Sequence, residues 1–356
     1  MQDRPGASPS SLSPRLRAAV AAVPRPLFLR PGVFRPARGG WRTVTDTAGL
    51  AELADNEWPL VLQVEWNRAR YLADQATWRP VRGLPVRHLP GATAVARLIE
   101  AADVAPGSRV LDIGAGTGYS TALLCQLGAE VTAVEADAAL AGHARVSLAE
   151  AGYAADFTTS PSGPYERVIA TEPVTRLPHG WVRWTAPGGT ITATLGTALV
   201  RLTARPDGTA DGRVLGPSPM PPRVTEPYPW SGIGTTPGRD TRTPPSLLTS
   251  GTPALLAQLA FPGCELHTTL DDCATVHLLH DPARRSLAEV VDDTYGWTVR
   301  EYGPVKLWEQ VERLVAAWRE AGSPDLTAVR LHLTEHTHTY RLGDHPDLRW
   351  EHPAGP

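Results

Sequence analysis

What this chain lacks narrows its class before any motif is read. Nowhere do eighteen or more apolar residues run together, so no segment is built to cross a bilayer as a helix. Cysteine is scarce: Cys125, Cys264 and Cys273 are odd in number and widely separated, which fits reduced thiols in a cytoplasmic protein and offers no metal-ligand spacing. An excess of either charge is also missing. The formal net charge is -3 over 34 basic and 37 acidic residues, whereas a dedicated nucleic-acid binder usually carries a strongly basic face. A peptide or small molecule suits this balance better, with no nucleic acid and no membrane as partner. The short apolar run Ala18 to Val23 follows Arg15 and Arg17, but Pro24-Arg25-Pro26 stops it at once, so it reads as a helix rather than a leader.

What is present is a globular composition, 42% hydrophobic and 20% charged, over 356 residues, which leaves room for a second folded unit beside a core of ordinary size. The most informative segment is Val110-Leu-Asp-Ile-Gly-Ala-Gly-Thr-Gly-Tyr-Ser120, followed by a helical stretch and Val131-Thr-Ala-Val-Glu135. It reads as strand, glycine turn, helix, and strand ending in an acid. Glycines let backbone amides approach a ligand, and a carboxylate at the end of the second strand is placed to hold two ribose hydroxyls. The spacing is G-x-G-x-G behind Asp112, unlike the G-x-G-x-x-G turn that seats a pyrophosphate, so a nucleoside ligand without phosphate fits better. With this wording the chain resembles the S-adenosylmethionine-dependent methyltransferases of the Rossmann-like class. That resemblance implies S-adenosyl-L-methionine as cofactor, held by Asp112, Gly114, Ala115, Gly116, Thr117, Gly118 and Glu135. Asp137 reads instead as a helix N-cap.

Around this motif, strands at 109–113, 130–134, 166–171 and 189–195 alternate with helices near 118–127, 137–151 and 179–185, and a hairpin spans 197–214. The expected fold is α/β: a Rossmann-like methyltransferase core with a mostly parallel seven-stranded sheet, an N-terminal cap and a small α+β C-terminal domain. The expected divisions are a disordered 1–14, a cap over 15–90, the core over 91–215, a proline- and glycine-rich linker over 216–246, and the C-terminal domain over 247–356. In the last, strands near 264–269 and 274–280 precede a helix over 305–321 whose apolar face carries Leu307, Trp308, Val311, Leu314, Val315 and Trp318. That face suits docking on a small sheet of its own, or a peptide groove beside Trp308 and Trp318. A hairpin closes the chain. His332, His336 and His338 lie about its tip without a cysteine or carboxylate set, so no metal is expected.

Several further segments are similar to the protein-L-isoaspartate O-methyltransferases: Val23-Pro-Arg-Pro-Leu-Phe-Leu29, the helix Ala92 to Ala102, Pro164-Tyr-Glu-Arg-Val-Ile-Ala-Thr171 and Trp184-Thr-Ala-Pro-Gly-Gly-Thr190. The final third, notably Tyr302-Gly-Pro-Val-Lys-Leu-Trp308, resembles longer actinobacterial members that accompany ribosomal peptide clusters (lanthipeptide, lasso peptide or graspetide). The resemblance implies methyl transfer to a peptide or protein aspartate or isoaspartate carboxylate, with collapse of the ester to an aspartimide. A carboxylate is already ionised, so no general base is required. Three departures matter. The family's T-x-S-x-P-H loop is here His88-Leu-Pro-Gly-Ala-Thr93, with Pro90 in place of the hydroxyl residue. The loop 156–165 is shortened, and Thr171-Glu172-Pro173 replaces a T-A-A segment. His88, Thr93, Thr171 and Glu172 are accordingly the substrate-side candidates, and Glu172 would repel a carboxylate unless an arginine pairs with it. Two other readings stay open: methylation of another small-molecule acceptor, with His88 or Glu172 as base, and a non-catalytic peptide-binding protein.

Overall fold

An uneven rhythm of short apolar runs before residue 90 forms a sheet of its own. The computed structural model describes residues 12–38, 40–66, 69–75, 83–220, 236–271 and 274–354. Most of the expected disordered N-terminus, the middle of the expected linker and Cys273 lie outside them. The described chain starts with helix α1 (Pro14–Ala22), strands β1 (Val33–Ala37) and β2 (Gly40–Val44), and helix α2 (Thr47–Ala54). Strands β3 (Leu60–Trp66), β4 (Ala69–Tyr71) and β5 (Leu84–Leu89) follow. β3 pairs antiparallel with β1, β4 and β5. Register shifts on either side of Gln63 break the two-residue alternation of β3, and Leu60 to Val64 are all buried. Leu62 meets Leu72 and Leu140, while Val61 and Val64 pack with Phe34. The cap is thus built on a five-stranded sheet.

Next come α3 (Ala92–Ala102), β6 (Arg109–Ile113), α4 (Tyr119–Gln126), β7 (Glu130–Val134), α5 (Ala138–Glu150) and β8 (Asp156–Phe157). β9 (Tyr165–Val174), α6 (His179–Trp184), β10 (Thr185–Leu195), β11 (Ala198–Ala204) and β12 (Ala210–Pro217) complete this stretch. Val95, Ala96, Leu98, Ile99 and Ala102 make one buried face of α3, which packs with Leu123 and Leu124 of α4. Asp137 caps α5, its carboxylate accepting from the amides of Ala139 at 2.9 Å and Leu140 at 3.1 Å. The sheet order is β8-β7-β6-β9-β10-β11-β12, parallel from β8 to β10 and antiparallel beyond. This is the α/β Rossmann-like arrangement expected of a methyltransferase core. The chain leaves β6 toward β7 and later returns on its other side as β9, and this change of direction opens a crevice at the strands' carboxyl ends.

Two expectations need correction. The main sheet has ten strands rather than seven, because the C-terminal hairpin joins it. After β13 (Arg239–Thr241), α7 (Gly251–Ala260), β14 (Glu265–Asp271), β15 (Ala274–Asp281), β16 (Ser286–Asp293), β17 (Gly296–Tyr302) and α8 (Leu307–Glu320), the chain forms β18 (Val329–Leu333), β19 (Thr337–Leu342) and β20 (Arg349–Pro353). β18 pairs with β12 from Ala210↔Leu333 to Arg213↔Arg330, covering amides and carbonyls that an edge strand would leave open. Consequently residues 247–356 are not one self-contained unit: β13 to β17 make a second antiparallel sheet, and β18 to β20 extend the first. The expected linker also begins inside β12 and contains β13. Trp308 is fully buried in the core shared with Ile191 and Leu255, so it lines no open groove. His332 bonds Asp211 at 2.8 Å and His338 is buried; no metal-binding group of three occurs among the described residues.

Candidate functional site

At the end of β6 the backbone turns through three glycines with φ of +78° at Gly114, +57° at Gly116 and +93° at Gly118. These left-handed values strain any residue with a Cβ. Their surroundings differ, and so do their uses. A Cβ on Gly118 would press on Ala144 at 3.2 Å, so this glycine serves the packing of the turn against α5. On Gly114 it would lie 3.2 Å from the Thr171 hydroxyl and 3.5 Å from Cγ of Glu172, whereas on Gly116 the nearest atom is 3.9 Å away. Gly114, Ala115 and Gly116 line a cavity of about 550 Å³, a volume usual for small-molecule sites. Its walls include Arg87 and His88 of β5 and Thr171 and Glu172 of β9.

Four of the expected cofactor residues, Asp112, Thr117, Gly118 and Glu135, stand outside the cavity lining. Thr117 is fully buried, Gly118 packs on α5, and Asp112 points beneath the turn. Oδ2 of Asp112 accepts from the hydroxyls of Ser120 and Thr121, each at 2.7 Å, while its buried Oδ1 has no partner among the described residues. Asp112 therefore clasps β6 to the start of α4. Burial raises its carboxyl from 3.8 to about 6, against the opposing pull of those two hydroxyls. An acid whose folded value is raised gives stability that is present in full below the unfolded value and is lost as pH rises through the folded one. At 1.36 kcal/mol per pKa unit, the loss between pH 4 and 7 is about 2.4 kcal/mol. Asp112→Asn is expected to be free of this loss, so denaturant unfolding of the two proteins should diverge by about that amount across the interval. A stability difference that stays flat with pH would refute the assignment.

Glu135 lies where the sequence places it, at the end of β7, but its surroundings are unexpected. Its side chain is 0% exposed. Oε1 accepts from the Asp137 amide and Oε2 from the Gly116 amide, both at 2.9 Å. Arg87 of β5 completes the set as a fork, Nη1 to Oε1 at 2.9 Å and Nη2 to Oε2 at 3.0 Å. The same Nη2 lies 3.0 Å from Oε1 of Glu172. The arginine that Glu172 requires is thus present. Beside Arg87, Gln63 donates to Asp137 at 2.7 Å and ties the cap sheet to the loop after β7.

On the substrate side the four candidates part company. His88 faces the cavity, and burial holds its pKa below the ordinary value, so it is neutral at pH 7. Thr171 also faces the cavity, but its hydroxyl donates to the Gly114 carbonyl at 2.6 Å, which steadies the turn. Thr93 does not reach the cavity lining. Its hydroxyl and amide both donate to Glu57, at 2.9 and 3.1 Å, so it is spent on holding the first turn of α3 to Glu57 and cannot replace the family's substrate-side hydroxyl. Sequence reasoning missed Gln63, Arg70, Arg87 and Arg176, all of which line the cavity. A signal existed for one: Gln63 interrupts the apolar run Leu60 to Val64, and a buried amide needs a partner. Arg25 explains the Val-Pro-Arg wording near the start. It is buried, donates to the carbonyls of Ala54, Asn56 and Pro90, and lies 5.6 Å from the centre of the Tyr119 ring.

The residues present suit an adenosyl cofactor. The open side of Gly116, the part-exposed Gly114 and Gly116 facing the cavity and an acid beyond the next strand are what such a ligand needs, provided Arg87 gives up its hold on Glu135.

Comparison with known proteins agrees with this arrangement. A family model described as protein-L-isoaspartate(D-aspartate) O-methyltransferase matches residues 90–215. The protein-L-isoaspartate O-methyltransferase of Methylorubrum populi is 34% identical over 134 residues, 35% of this chain and 63% of the relative. That of Aeropyrum pernix is 34% identical over 150 residues, 37% of this chain and 57% of the relative. The chain thus spans about three-fifths of the length of these two relatives. A solved structure titled protein-L-isoaspartate O-methyltransferase aligns over 91% of this chain and 93% of its own, with a TM-score of 0.47 and 16% identity. The relative from Gloeobacter violaceus is 32% identical over 150 residues, 38% of this chain and 73% of its own length, and with the matched family model it establishes that the chain belongs to the protein-L-isoaspartate O-methyltransferase family.

Proposed function

We propose that this protein is an S-adenosyl-L-methionine-dependent O-methyltransferase whose acceptor is the carboxylate of an aspartyl or isoaspartyl residue in a peptide or protein. The observation that carries this reading is the pairing, in one cavity, of the glycine turn with three arginines, Arg70, Arg87 and Arg176, with the buried Glu135 behind Arg87. Arg176, two residues after β9, is exposed and has no ion pair among the described residues, so its fork is available to a carboxylate. When bound, the cofactor supplies a methyl group already activated by its sulfonium. Gly116 and Glu135 hold the nucleoside, Thr171 keeps the turn in place, and the arginines orient the acceptor. Because a carboxylate is ionised at neutral pH, alignment alone supplies much of the acceleration, and no base is needed.

A methyl ester formed on aspartate is open to attack by the following backbone nitrogen, which expels methanol and closes an aspartimide. We place the natural acceptor among ribosomally made peptides, on the likeness of the final third to longer actinobacterial members. A second reading rests on one observation. His88 is neutral and faces the cavity, so it is equipped to take a proton from a hydroxyl or amine acceptor.

The test is incubation of the purified protein with methyl-labelled cofactor, an isoaspartyl peptide, its aspartyl counterpart and any precursor peptide encoded nearby. Gain of one methyl followed by loss of methanol is the expected result. Cofactor binding without label on any carboxylate peptide would overturn the acceptor assignment and favour the His88 reading or a binding role.

A further inference from the structure

Glu135 is saturated. A carboxylate offers about four acceptor positions, and those of Glu135 take the amides of Gly116 and Asp137 and both arms of Arg87. None is left for a ribose diol. The two amides belong to the backbone of the turn and the following loop, so the partner that can leave is Arg87. A second seat is already at hand: Oε1 of Glu172 stands 3.0 Å from Nη2, and that side chain is 60% exposed with no other partner among the described residues. The move requires no shift of β5, because Gln63, its neighbour across the β3–β5 pairing, is separately fixed to Asp137 at 2.7 Å.

We propose that Arg87 is a two-position residue that couples the two halves of the site, forking onto Glu135 before the cofactor binds and onto Glu172 once the ribose hydroxyls take Glu135. The charge consequence follows directly. While Arg87 serves Glu135, the Glu172 carboxylate at the acceptor mouth is only half-served and repels an anionic acceptor. After the move Glu172 is neutralised, and Arg176 faces the acceptor with its positive charge uncancelled. Cofactor therefore binds first and the carboxylate acceptor second. The proposal rests on the function proposed above for the order of binding, but its first half concerns the cofactor alone.

Calorimetric titration with S-adenosylhomocysteine tests that half without any turnover. A site held closed most of the time binds with an affinity reduced by the open fraction. Arg87→Met should thus bind about tenfold more tightly than the wild type. Glu172→Gln removes the second seat and should weaken binding severalfold, although Glu172 is not a partner of the ribose. In the double variant the Glu172 effect should vanish, a non-additivity that a merely structural role for either residue would not produce. Unchanged or weaker binding by a folded Arg87→Met protein overturns the proposal. If that variant does not fold, the exposed Glu172→Gln decides, and unchanged affinity there overturns it equally. No binding by the wild type would instead count against the cofactor assignment itself. For the second half, an isoaspartyl peptide should bind the wild type measurably only in the presence of S-adenosylhomocysteine. Equal peptide affinity with and without it refutes the ordering and leaves the cofactor result standing.

Discussion

Gly116→Arg is expected to leave a folded protein that no longer binds S-adenosyl-L-methionine or S-adenosylhomocysteine, with calorimetric affinity reduced by about 100-fold or more. The backbone there has φ +57°, which costs a residue with a Cβ about 1–2 kcal/mol. That is a tolerable loss in a domain with this much buried core. The larger effect is one of volume and charge: a Cβ at this position meets nothing closer than 3.9 Å, so the long side chain extends into the cavity. Its guanidinium also competes for Glu135, which already receives the Gly116 amide at 2.9 Å. Two companion variants separate strain from obstruction. Gly116→Ala carries the backbone strain without the bulk and should keep most of the affinity. Gly118→Ala presses on Ala144 at 3.2 Å and should lower the melting temperature more than it lowers affinity. Unaltered cofactor affinity in Gly116→Arg, on calorimetry of protein that melts cooperatively, would show that the turn is not the binding site.

Why this turn is legible in the sequence and the cap sheet is not comes down to the range of the interactions. Gly114, Gly116 and Gly118 answer to local backbone demands, and Glu135 follows from the end of a strand whose length the apolar pattern marks. The strands 109–113 and 130–134 were read to the residue for the same reason. β1 to β5 carry no such mark. The bulge around Gln63 spoils the alternation, and both faces of β3 are buried, so its side chains do not sort by polarity. The joining of β18 to β12 bridges more than a hundred residues and is a property of two edges meeting, which no window along the chain contains. The site shows the same division. That Glu172 needed an arginine was evident from charge alone. That the arginine would be Arg87, next to His88, depends on the cap sheet lying against the end of β7. Asp112 precedes the turn, a position that suggests a ligand, but its strand position aims it at Ser120 and Thr121 in the first turn of α4.

Trp308→Ala is the substitution from which we expect the greatest loss of stability, about 3–5 kcal/mol, as for other aromatic truncations in closed cores. The indole is 0% exposed, and its Nε1 donates to Thr241 Oγ1 at 3.1 Å. That hydroxyl keeps other bonds after truncation, donating to Glu312 at 2.6 Å and accepting from the Thr243 amide at 3.2 Å. The cost is therefore mainly lost packing. Trp318, half-buried at the other end of the helix and bonded to the Pro324 carbonyl at 3.0 Å, should cost well under half as much when truncated. The core around Trp308 also takes in Val168, Ile191 and Tyr340 of the main sheet. A separate C-terminal domain would melt in a transition of its own, and Trp308→Ala would move only that one. Because the helix shares its core with the methyltransferase sheet, we expect a single calorimetric transition shifted downward by about 4–7 °C. The appearance of two transitions, with only one displaced, would restore the boundary near residue 247 and confine the second sheet to a domain that stands apart.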